Sequence, residues 1–87
     1  MKYNPQLRKA IMQACQYLLI NYRNRKNMSQ RDFARKCKVS RQYISLIESG
    51  RRMPMLDFVL YIADGFDMSH KDFMMVLIDR ISYYKNF

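Results

Sequence analysis

The sequence predicts an all-α fold of five helices, the first and last of them extended. Three observations predict it: apolar residues recur at three- and four-residue spacing, N-cap residues stand at Asn4, Ser29, Ser40 and Ser69, and the 87 residues include only two glycines and two prolines. A turn-rich β architecture would need more of both turn residues. A disordered chain would lack the 49% hydrophobic content seen here. The length suits a single domain, 1–87, with one core and no room for a deep catalytic cleft.

The first helix is expected to start at Asn4-Pro5, a cap followed by a proline whose missing N–H is harmless at that position. Leu7, Ile11, Cys15 (or Ala14), Leu18, Leu19 and Tyr22 then form one face, running to about Arg25. Ser29 opens a short second helix, with Asp32 completing an S-x-x-D start and Phe33, Ala34 and Cys37 turned inward. Ser40 caps a third helix that runs to Glu48 or Ser49 on the inward residues Ile44 and Ile47. Gly50 follows where a left-handed residue is wanted. Arg51-Arg52-Met53-Pro54 forms a basic loop. A fourth helix is expected over about Met55 to Phe66, with Leu56, Val59, Leu60, Ile62 and Ala63 as its apolar positions. Ser69 and Asp72 make another S-x-x-D start for a fifth helix, from His70 to about Tyr84.

Charge is distributed unevenly. The formal net charge is +9, and Arg23 to Arg52 holds ten basic residues against the two acidic residues Asp32 and Glu48. From Met53 onward the balance reverses, with three basic residues against five aspartates. So concentrated a positive field suits a polyanion. Cys15 and Cys37 have no metal-ligand or CxxC spacing and lie on apolar helical faces, so they read as buried free thiols in a reducing cytoplasm. The longest apolar runs, such as Tyr17–Ile20 and Phe73–Ile78, are too short to span a bilayer, and no signal peptide is visible. With one histidine, no glycine-rich phosphate loop and no nucleophile paired with a base, the chain gives no sign of an enzyme or of a cofactor.

Residues 29–50 carry the most information. Two helices joined by a short turn cross steeply and need a small residue where their backbones approach, and Ala34 supplies it. Apolar residues are needed at Phe33, Cys37, Val39, Ile44 and Ile47, and all are present. Arg41, Gln42, Ser45, Leu46 and Ser49 are left on the outward side of the third helix. From about Leu19 to Met74 the sequence closely resembles the phage-repressor and Cro-like (XRE-type, lambda-repressor-like) helix-turn-helix family. The resemblance is carried by Ser29-Gln30, Ala34, Ser40 to Ile47, Glu48-Ser49-Gly50, Arg51-Arg52 and Pro54, then Ile62-Ala63, Phe66 and Met68-Ser69.

The resemblance implies a sequence-specific regulator of transcription, bacterial or phage in type, that binds double-stranded DNA with its third helix in the major groove. It implies base contacts by Arg41, Gln42, Ser45 and Leu46, the alternative for Leu46 being packing beside the fourth helix. Chemistry agrees: arginine can bond guanine O6 and N7 together, glutamine adenine N6 and N7, and leucine can meet a thymine methyl. It implies phosphate contacts by Gln30 beside the cap Ser29, and by Ser49, Arg51 and Arg52 in the loop. Tyr43 is expected to add a phosphate contact, the alternative being a shield at the core edge. Glu48 is expected to pair with Arg23 inside the fold. Three positions depart from the family pattern: Lys38 and Asp67 stand where glycine is usual, and Met55 where serine or threonine normally caps the fourth helix. A non-glycine residue at positive φ costs roughly 1 kcal/mol, which is tolerable.

Phe73 to Phe87 is apolar on more than one helical face. A helix of that kind must be covered on more than one side, so Met74, Leu77, Ile78, Ile81 and Tyr84 are expected at a homodimer interface. The alternative is packing against a long first helix within one chain. Paired copies would set two recognition helices about 34 Å apart on a palindromic operator. A different function also fits this segment: an antitoxin or other interaction module that holds a protein partner (a toxin or another regulator) through the last helix. Binding to RNA is weaker, since the aromatics form no stacking platform on a strand.

Overall fold

Local capping divides the chain into its helices. The computed structural model describes residues 4–85, which form α1 (Pro5–Arg25), α2 (Gln30–Cys37), α3 (Arg41–Glu48), α4 (Leu56–Gly65) and α5 (His70–Lys85), with no strand among the described residues. Asn4, Ser29 and Ser69 each accept a hydrogen bond from a first-turn N–H at 3.0 Å, and Ser40 does so from Tyr43 at 3.1 Å. Such a cap contributes about 1 kcal/mol. Met55 has no side-chain cap to offer, and the Asp57 carboxylate accepts the neighbouring Phe58 N–H at 2.8 Å instead. Gly50, Lys38 and Asp67 all take positive φ, at 73°, 62° and 58°. At Lys38 the strain is offset by closure of the α2 C-terminus, where Val39 N–H reaches the Ala34 carbonyl at 3.0 Å. The Lys36 ammonium meets the Asp67 carboxylate at 2.6 Å, which holds that carboxyl below its ordinary range.

The helices close on one core in which Leu19, Phe33, Ile44 and Ile47 are almost completely enclosed. Phe33 stacks on Phe66 with centroids 4.4 Å apart, and Tyr22 meets Phe66 edge-on at 5.2 Å. Gly65 is required by packing: a Cβ there would stand 2.3 Å from the Cys37 sulfur, so α2 and α4 approach as closely as they do because no side chain separates them. Burial pushes the Cys15 and Cys37 thiols up to about 12, which keeps both protonated and unreactive near neutrality. Among the described residues no helix is long and apolar enough to cross a membrane.

Two expectations need correction. On α4 the inward residues are Phe58, Val59, Ile62 and Ala63, whereas Leu56 is 66% exposed. In a helix this uniformly apolar, periodicity alone does not select a face. On α5, Leu77 and Ile81 were expected between two copies but belong with Phe73 to the core of their own chain, because α5 packs chiefly along α1. Arg80 reinforces that packing, its guanidinium lying 3.8 Å from the centroid of Tyr17 on α1. Ile78 is 54% and Met75 58% exposed, with Met74 and Tyr84 half-buried.

Candidate nucleic-acid interface

The polar junction beneath α3 sets the position of everything outward of it. Glu48, at the last turn of α3, is the one buried charged residue among those described. Arg23 of α1 engages its carboxylate in a fork, Nε to Oε2 at 2.8 Å and Nη2 to Oε1 at 2.9 Å, and spends its remaining nitrogen on the Met28 carbonyl at 2.8 Å. This two-point geometry is specific to arginine. Hydrogen bonding to Glu48 raises the Arg23 guanidinium further above its already high ordinary value, so it remains charged. Gln30 donates to Oε1 of the same carboxylate at 3.0 Å, and Gln16 donates to the Glu48 carbonyl at 2.8 Å, satisfying a carbonyl at the helix end. Glu48 therefore ties α1, the α2 N-terminus and the α3 C-terminus together. No buried side-chain nitrogen or oxygen among the described residues lacks a partner.

Gln30 thus has a structural task that its expected phosphate contact did not include. Its amide nitrogen carries two hydrogens, and one bond to Glu48 leaves the other for a ligand. The amide stands in a cleft of about 570 Å³ lined by Arg23, Ser29, Gln30, Arg31, Asp32 and Arg41. The first turn of α2 and the Arg31 and Arg41 side chains line it beside Asp32, the Arg23 guanidinium being committed to Glu48 and Met28, and the two remaining guanidinium groups suit an anion. Arg31, which sequence reasoning did not single out, belongs to this group. Its membership depends on the crossing of α2 and α3, which a linear pattern does not display.

With its inner side committed to Ile44, Ile47 and Glu48, α3 turns Arg41 and Gln42 fully outward, and Ser45 and Leu46 stand half-buried beside them. Arg41 and Gln42 lie in the first turn, where extended side chains reach furthest from the body. Ser49, Arg51 and Arg52 are exposed immediately after the helix, and the Ser49 hydroxyl donates to the Leu46 carbonyl at 3.1 Å. Tyr43 is half-buried, its ring stacked on Phe58 at 4.1 Å, its hydroxyl accepting the Met55 N–H at 3.4 Å, and the Arg52 guanidinium 5.1 Å from its centroid. The involvement of Phe58 and Met55 joins positions far apart along the chain and has no signal in the sequence. Donors and positive charge thus occupy one surface, from the α2 N-terminus across α3 into the loop. Among the described residues no group of His, Cys, Asp and Glu could hold a metal ion.

A helix-turn-helix family model matches residues 19–73. Among solved structures, the restriction-modification controller protein C.Esp1396I is similar with a TM-score of 0.68 and 29% identity, over 91% of this chain and 95% of that one. The same controller as a tetramer in complex with its natural 35-base-pair operator gives 0.69 at 29% identity, over 91% and 97%. The clp gene regulator ClgR from Corynebacterium glutamicum shares the fold, at a TM-score of 0.65 and 23% identity over 93% and 82%. A search of curated proteins gives no match.

Proposed function

The chain belongs to the helix-turn-helix family, and on that premise we propose that it is a DNA-binding regulator of transcription that acts as a homodimer on a palindromic operator. The observation that carries the reading is the outward side of α3: Arg41 and Gln42 stand free for a ligand because the core, the Ser40 cap and the Arg23–Glu48 fork meet the structural needs of the helix elsewhere. Laid in the major groove, α3 presents Arg41, Gln42, Ser45 and Leu46 to base edges. Ser29 and Gln30 at the cleft, and Ser49, Arg51 and Arg52 in the loop, take phosphates on either side and fix register. Counterion release supplies affinity and base-edge contacts supply the choice of site. The protein works by binding in the cytoplasm, with neither catalysis nor a cofactor.

A second copy docks on α5, with Met74, Met75 and Ile78 as the contact strip, whereas Tyr84 turns toward Tyr17 and Ile20 of α1. That strip is apolar surface left on α5 once Leu77 and Ile81 have entered the core, apart from Tyr83 on another side of the helix. The operator-bound tetramer of C.Esp1396I supports self-association on DNA, without bearing on which helix pairs.

Selection of bound sequences from a random duplex pool tests the whole reading. The expected product is an inverted repeat with half-site centres about 10 base pairs, or one helical turn, apart. Recovery without an enriched sequence would remove the specific-reader assignment. A second polypeptide that copurifies and prevents self-association would give the α5 strip to another protein, as in an antitoxin.

A further inference from the structure

Tyr43 makes three contacts at once. One face of its ring stacks on Phe58 at 4.1 Å, its hydroxyl accepts the Met55 N–H at 3.4 Å, and the Arg52 guanidinium lies 5.1 Å from its centroid. Phe58 belongs to the first turn of α4, and Met55 is the N-cap of that helix with no capping side chain of its own. One residue in the first turn of α3 therefore fastens the far end of the loop that carries Arg51 and Arg52. The hydroxyl is occupied toward the protein, while the ring lies against an exposed arginine.

Building on the DNA-binding reading above, we propose that Tyr43 is a positioning residue that holds Arg52 toward the DNA backbone, and not a phosphate ligand through its own hydroxyl. A guanidinium is planar, and its N–H donors lie in the plane. With its central carbon over the ring at 5.1 Å, the group makes no hydrogen bond to the ring and keeps N–H donors for phosphate oxygens, and the ring restricts an otherwise rotamer-rich exposed side chain before DNA arrives. Arg51 is equally exposed but shows no such ring contact among the described residues, so it is an internal control. The role is sequence-neutral, because what Arg52 meets is backbone.

The test is a double-mutant cycle on duplex DNA, with Tyr43→Leu, Tyr43→Phe, Arg52→Ala and Arg51→Ala, alone and combined. Tyr43→Phe keeps the ring and should bind like the wild type. Tyr43→Leu should weaken binding to any duplex about fivefold, the size of an exposed cation–π contact, and Arg52→Ala at least as much. Combined with Arg52→Ala, Tyr43→Leu should cost nothing further; combined with Arg51→Ala, its loss should appear in full. In the DNA-free protein, ring-current displacement of the Arg52 side-chain protons should persist in Tyr43→Phe and vanish in Tyr43→Leu, a readout that a purely structural defect elsewhere would not move. Equal weakening by Tyr43→Phe and Tyr43→Leu would assign the effect to the hydroxyl and overturn the proposal. So would additive losses for Tyr43 and Arg52, or Arg52 protons insensitive to the ring. A wild-type protein with no affinity for duplex DNA would overturn the reading beneath it, and the proton displacements would still decide whether the ring holds Arg52.

Discussion

The helices α3 and α5 both combine a buried side with one that faces away from the core, and they divide their residues in opposite ways. On α3, eight residues long, the inward side holds Ile44, Ile47 and the paired Glu48, and the outward side carries Arg41 and Gln42. On α5, sixteen residues long, Phe73, Leu77 and Ile81 enter the core while Met75 and Ile78 remain exposed. The polar outward side of α3 meets the demands of a hydrated, charged ligand; the apolar side of α5 is stable in water only at a cost that a second apolar surface removes. On the proposed reading, α3 reads and α5 pairs. Each can do so only because other residues meet its structural requirements.

Substitutions that erase this division should have effects in a definite order. The largest is expected at the junction: Glu48→Ala leaves Arg23 half-enclosed without its carboxylate and should cost about 3–5 kcal/mol of folding stability in urea titration. A loss under about 1 kcal/mol would reduce the pair to an ordinary surface contact. Two adjacent positions on α5 then separate core from interface. Leu77→Ala should cost about 2–5 kcal/mol. Ile78→Lys should change monomer stability by no more than about 0.5 kcal/mol yet halve the mass seen in sedimentation. Comparable unfolding by both would mean that α5 has no outward strip.

On α3, Arg41→Ala or Gln42→Ala should each lose about 1–3 kcal/mol at a selected operator while leaving random duplex binding nearly unchanged. Equal losses on both duplexes would make these residues phosphate contacts. A separate readout concerns the thiols, measured as the pH dependence of unfolding. Their folded values near 12 exceed the ordinary 9.0, so the unfolded chain releases these protons first. Their contribution is complete below pH 9.0 and declines as pH climbs toward 12. A Cys37→Ala variant should show a shallower decline over that window, and an identical slope would place the thiol in a polar setting.

The parts of this molecule that depend on neighbours in sequence were legible there. Asn4, Ser29, Ser40 and Ser69 act on N–H groups three residues away, so their caps and the helix starts could be read directly. The outward placement of Arg41 and Gln42 followed from the inward placement of Ile44 and Ile47 on the same short helix. What was not legible depends on which elements meet. Leu56 faces outward and Phe58, which the pattern did not single out, faces inward because most α4 positions are apolar, and the choice of face belongs to α2 and α5. Leu77 and Ile81 turn inward because α1 is long enough to cover them. Gln30 was read as a ligand-binding side chain, while its second task, bonding to Glu48, emerged only once α2 and α3 were crossed. The need for glycine at 65 likewise arises from the nearness of Cys37, a residue on another helix.

The central claim is that α3 and its flanks, and not α5, face the nucleic acid. It is tested most directly by titrating a selected duplex into isotope-labelled protein and mapping which backbone amides shift in the NMR spectrum. The account predicts the strongest perturbations at 29–31, 40–46 and 49–52, with the amides of 74–78 unmoved by DNA. Perturbations centred on α5, with the first turn of α3 silent, would contradict it.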